Sequence, residues 1–182
     1  MNVVNPEAIG VFGLVVTVWI FGVEQLGIGV DKDTDHEKLC RSLGHVALYF
    51  GGFAQIFTAI CMYLFDMGIA PEARIFTGTI FATYGLFWVV VAMHFYNPGD
   101  KKVYAHFFLG IFFMTAVLAY KQIFVNGVIW PLGVVLLLIN LLTILLPFAW
   151  YGQRPLITKI CGVTNIAIGL AALPILFHAL GL

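Results

Sequence analysis

Six long apolar runs divide the chain almost end to end, at residues 8–30, 42–65, 75–96, 103–125, 128–151 and 156–180. Each is long enough to cross a bilayer, which takes roughly 20 residues of helix. Lipid offers the backbone no hydrogen-bond partner, so a spanning segment must be a helix or part of a closed barrel. Barrel strands are short and alternate in polarity. These runs are long and continuously apolar, so they are helices. The expected fold is all-α, a polytopic six-transmembrane-helix bundle, with residues 1–182 forming a single transmembrane domain.

Composition agrees. Hydrophobic residues make up 62% of the chain and charged residues 10%, against about half and a quarter in soluble domains. Little chain is left between the runs, which excludes a separate catalytic, nucleotide-binding or DNA-binding module. The formal net charge is +0, so there is no polybasic or polyacidic partner signal. Cys40, Cys61 and Cys161 have no C-x-x-C spacing, so neither a disulfide framework nor a zinc motif is expected. No Lys or Arg precedes the first apolar run, so that run reads as a permanent span rather than a signal peptide.

Lysine and arginine favour the cytoplasmic side. Lys32, Lys38, Arg41, Lys101, Lys102, Arg154 and Lys159 lie in or beside the odd-numbered loops, against Arg74 and Lys121 on the even side. This count puts the odd loops in the cytoplasm and both termini outside.

Small residues recur at helical spacing. Gly10, Gly13 and Thr17 lie near one meridian of the first span, with Glu24 further along it and Leu14 at its edge. Gly44, Ala47, Gly51, Ala54 and Thr58 do the same in the second, with Gln55 beside them. Gly78, Ala82 and Gly85 mark the third span, and Gly162, Asn165, Gly169 and Ala172 the sixth. Such stripes let helix backbones approach closely. Thr77, Tyr84 and Trp88 share a second face of span three, which can line a narrow pore or simply pack. Asn140 in span five and Gln55 either bond to a neighbouring helix or face water, since an amide in a span must find a partner.

Charged groups within spans are costly and point to function. Glu24 is such a group, though near its span's end. Lys121 either snorkels to the headgroups or fixes a positive charge at the mouth of an anion path. His36, His45, His94 and His106 fall at or near the odd-loop surface, where protonation could make them a pH sensor. No two of the histidines share a span at ligand spacing, so neither haem nor another cofactor is expected, and no metal site.

Three segments carry a resemblance. Asn5-Pro6-Glu7-Ala8-Ile9-Gly10 resembles the N-P-A-P-L-G motif of the acetate/succinate transporter family of bacteria, archaea and fungi. Tyr49 with Gly51-Gly52-Phe53-Ala54-Gln55 resembles its second-helix motif, and Thr83-Tyr84-Gly85-Leu86-Phe87-Trp88 its third-helix motif. Order and placement match in the first half; the second half agrees in hydropathy more than in motif. The resemblance implies a homo-hexamer in the cell inner membrane, each protomer with its own pore and both termini in the cytoplasm, against the charge count. It implies passage of acetate, related monocarboxylates or succinate, with a link to protons. It places an apolar constriction at Leu14, Tyr84 and about Ile139, and a pore glutamine at Gln55. Glu7-Ala8 stand where the motif has Ala-Pro, Leu14 where some members have an aromatic residue, Val18 where a threonine is frequent, and Met62 where a glutamate is common. Leu14 is expected to widen the gate.

With no ring of Arg or Lys in the spans, a carboxylate must be met by dipoles or pass as the protonated acid. Thr17, Gln55, Thr77, Tyr84 and Asn140 are the polar candidates for the path. Asn5 begins a helix whose free N–H groups could hold a carboxylate. Glu24, Lys121, His45 and His106 are candidates for a charge or pH role. No residue set supports covalent chemistry, so an enzyme is not expected. The alternatives are a six-helix channel for small neutral amides such as urea, a haem-binding membrane subunit, and a sensor or scaffold.

Overall fold

The computed structural model describes residues 5–30, 33–66, 68–152 and 154–182. Every regular element among them is helical, and six helices are long and apolar enough to cross a membrane. They are α1 (Glu7–Gln25), α2 (His36–Leu64), α3 (Pro71–Tyr96), α4 (Lys101–Val125), α5 (Leu132–Gly152) and α6 (Pro155–Leu180). The chain is a multi-pass membrane protein.

Helix ends depart from the apolar runs where local chemistry overrides hydropathy. The run 8–30 stops being helical at Gln25, because Gly27 and Gly29 adopt left-handed φ values of 77° and 76°. α2 starts at His36, six residues before the run 42–65, so most of the expected first loop is helix. Asp35 caps it, accepting from the Glu37 and Lys38 N–H groups at 3.1 Å each. Those bonds hold the exposed Asp35 carboxyl below the usual carboxylate range. Lys38 pairs with Asp35 at 3.2 Å and Arg41 with Glu37 at 3.0 Å. These two basic residues of the charge count are therefore offset locally; Lys32 lies outside the described residues. α5 starts at Leu132 rather than 128, because residues 126–131 form the turn, with Gly127 at φ 71°. α2 contains a π-helical stretch at Ala47–Phe53, and α4 ends in another at Lys121–Val125.

α1 packs against α2 on one side and α6 on the other; α2 continues to α3, and α6 to α5 and then α4. The glycine stripes sit at these crossings. A Cβ on Gly22 would lie 2.9 Å from the Gly162 carbonyl oxygen, and one on Gly162 2.9 Å from the Gly22 carbonyl oxygen. The two backbones touch with no side chain between them, as small-residue seams allow. Side chains such as Phe12, Phe57, Leu86, Phe113 and Leu170 face outward, which suits lipid. Inside, Phe21, Phe87, Trp88, Phe108 and Trp150 form an aromatic core at one end of the bundle, with neighbouring ring centroids 4.9 to 5.8 Å apart.

Candidate functional site

Four cavities follow one another through the bundle, each sharing wall residues with the next. An outer chamber of about 680 Å³ is lined by Glu24, Gln25, Cys40, His94, Lys101 and Lys159 among others. It shares Glu24, Gln25, Phe95, Leu146, Trp150 and Thr158 with an inner chamber of about 190 Å³. That chamber shares Phe87, Trp88 and Leu142 with a space of about 20 Å³. The last space, about 30 Å³, reaches Glu7 at the start of α1. Leu14, Tyr84 and Ile139, from α1, α3 and α5, wall both small spaces.

Leu14, Tyr84 and Ile139 are 9%, 4% and 6% exposed, so their side chains fill the narrowest part of the bundle. A 20 Å³ space admits about one water molecule and no acetate. Its other walls are Val18, Phe87, Trp88, Leu142, Thr143 and Ile168. Thr143 is the one hydroxyl besides that of Tyr84, and it turns back to the Ile139 and Asn140 carbonyl oxygens at 2.9 and 3.0 Å. The Tyr84 hydroxyl donates to Thr115 Oγ1 of α4 at 3.0 Å, which fixes the ring across the passage. An ion held here would lose its hydration for no charged partner, a penalty of several kcal/mol.

The polar candidates separate. Gln55 and Thr77 line the 30 Å³ space with Glu7 and Tyr84. Gln55 is 1% exposed, and its Nε2 is a buried donor with no partner among the described residues. Thr17 does not line any of these four cavities: it is fully buried and its hydroxyl donates to the Gly13 carbonyl oxygen at 2.7 Å. Its role as a path group is corrected by its rotamer, which bonds its own helix. Asn140 bonds between helices instead, donating to the Phe112 carbonyl oxygen of α4 at 2.9 Å. Such a bond is worth about 1 kcal/mol.

The free helix start expected at Asn5 is also corrected. The Glu7 N–H donates to Asn5 Oδ1 at 3.1 Å, the Ala8 N–H to the Asn5 carbonyl at 3.1 Å, and the Ile9 N–H to the Pro6 carbonyl at 3.0 Å. A carboxylate is present there already, that of Glu7, whose Oε2 accepts from Asn5 Nδ2 at 3.2 Å. Asn5 thus serves the helix and Glu7.

Glu24 lines both chambers at the opposite end. Lys121 is exposed and does not line these cavities; its Nζ lies 5.4 Å from the Phe76 ring centroid, an interfacial cation–π contact. The histidines do not form a cluster. His45 stands between Tyr49 and Tyr96, and His106 bonds the Tyr151 hydroxyl at 2.8 Å. His94 packs on Tyr104 and Trp150 and lines the outer chamber. Glu7, Gln25 and Asn165 line these cavities without having been singled out from sequence for a path. Asn165, 2% exposed, lies in the wall of the inner chamber, donates to Gln25 Oε1 at 3.0 Å and keeps Oδ1 without a partner among the described residues. A buried amide on an apolar helix was visible in the sequence; its partner, on a helix far away in the chain, was not.

No protein-family model and no curated protein matches the chain. Among solved structures, the bacterial acetate channel SatP has a similar fold, with a TM-score of 0.74 over 95% of this chain and 90% of that one at 19% identity. The likeness agrees with the fold that the resemblance of the three motifs implies.

Proposed function

We propose that the chain is a membrane channel or transporter for acetate and related small carboxylates, succinate included. The observation that carries this reading is the chain of chambers leading to an uncharged throat at Leu14, Tyr84 and Ile139, in a fold shared with an acetate channel. The charged wall of the outer chamber, with Lys101 and Lys159, attracts anions to the mouth. Trp88, Trp150 and Phe21 offer an apolar wall to the methyl end of acetate in the inner chamber. Beyond the throat, Gln55 Nε2 offers a carboxyl group a buried donor. The throat widens for passage, since its present width excludes the solute, and it favours the undissociated acid over the ion. Transport is therefore linked to protons in this reading. The working form is a homo-hexamer in the inner membrane with both termini cytoplasmic.

A neutral-amide channel is the second reading, favoured by the absence of charge among the residues lining the throat. Uptake of labelled acetate and labelled urea into liposomes holding the purified protein, with and without a pH gradient, tests both. The expected result is saturable acetate uptake that rises when the outside is made acidic. Urea uptake without acetate uptake moves the assignment to the neutral-amide channel.

A further inference from the structure

The walls of the path are electrically unequal. Lys101 and Lys159 line the outer chamber with Glu24. At the other end, Glu7 is the one charged residue among those lining the 30 Å³ space. It stands where the resembled motif has an alanine. Its position is fixed at both ends of the residue: the backbone N–H is capped by Asn5 Oδ1, and the carboxylate accepts from Asn5 Nδ2. The first turn of a helix stabilises negative charge, and here the protein's own carboxylate takes that place. Gln55, Thr77 and Tyr84 share its cavity.

We propose that Glu7 is a species filter, which turns carboxylate anions away from this mouth and leaves it open to uncharged solutes. The proposal rests on the channel reading above. An anion leaving the throat toward Gln55 meets a carboxylate in the same small space, with few waters to screen the repulsion. An undissociated acid or a primary amide of the same size does not. No residue lining the cavity carries a charge opposite to that of Glu7. From α6 the exposed His178 acts on it electrostatically but does not line the cavity; from α3 the facing groups are Thr77 and the Tyr84 hydroxyl, the latter engaged with Thr115. From α2 it is the neutral Gln55, and the lining residues of α5 are aliphatic.

Glu7→Gln keeps an acceptor for Asn5 and removes the charge. The test is the ratio of acetate to acetamide permeability in the same liposomes at pH 8, where acetate is almost wholly ionised. The ratio should rise on the order of tenfold in Glu7→Gln, the scale of one unit charge at a few ångströms in a partly wet mouth. Glu7→Asp, which keeps the charge, should leave the ratio near that of the wild type. A ratio unchanged by Glu7→Gln, with both solutes still passing, overturns the filter and leaves the channel reading standing. Passage of neither solute through either protein overturns the channel reading, and the filter with it.

Discussion

Tyr84→Ala should admit larger carboxylates: succinate uptake rises several-fold relative to acetate, and the protein becomes less stable. Tyr84 is the one aromatic among the three residues that wall both small spaces. Deleting its ring merges those spaces into one passage. The same deletion removes a side chain that is 4% exposed and hydrogen-bonded to Thr115. Aromatic-to-alanine changes in a packed interior cost about 3–5 kcal/mol, so a large fall in the unfolding temperature in detergent accompanies the change in selectivity. Tyr84→Phe separates the two effects. It keeps the ring and loses only the hydroxyl's bond to Thr115, at a cost of about 1–2 kcal/mol. Its acetate-to-succinate ratio should stay near that of the wild type. A Tyr84→Ala protein that folds and discriminates as the wild type does would remove Tyr84 from the barrier.

Gly13→Val should do the greatest damage of any single change at the helix crossings. A Cβ on Gly13 would meet the Phe50 carbonyl oxygen, with the Ala54 Cβ at 2.9 Å and the Phe50 carbonyl carbon at 3.2 Å. These are backbone and stub atoms of α2, so no rotamer change can make room. The helices must separate, and overpacking of this kind costs about 3 kcal/mol. Leu14 is the next residue and would move with α1, so acetate uptake should fall as well. Gly110→Ala is the matching control. A Cβ there meets no atom within 4 Å beyond its chain neighbours and its own helix backbone, and alanine is the better helix former by up to about 1 kcal/mol. Unfolding temperatures of the two variants check the contrast; equal stability of Gly13→Val and Gly110→Ala would contradict the close crossing of α1 and α2.

The number and type of helices were legible because bilayer physics leaves few choices for long apolar runs. Their ends were less so. Hydropathy could not show that Asp35 caps a helix inside a charged segment, or that Gly27 and Gly29 end one inside an apolar segment. The glycine stripes identified the crossings because only small residues permit such contact. Polar groups in the spans were harder to place. Thr17 and Asn140 looked like path residues because a span residue with a hydroxyl or amide must bond to something. The partner turned out to be backbone, on the same helix for Thr17 and on α4 for Asn140. The Tyr84–Thr115 and Gln25–Asn165 bonds join separate helices. One sequence has no periodicity that pairs such residues. Glu7 shows the opposite case: its helix-start chemistry was plain, yet the bonding at that start is to Asn5, whose side chain meets both the Glu7 N–H and the Glu7 carboxyl.

The most direct test of the path is to fill its throat. Ile139 is 6% exposed and shared by the two small spaces. Ile139→Trp adds bulk where there is room for about one water molecule. Labelled acetate uptake into liposomes should then fall to the level of protein-free vesicles, while circular dichroism retains the helical signal. Uptake at the wild-type rate through a folded Ile139→Trp protein would contradict a path between Leu14, Tyr84 and Ile139.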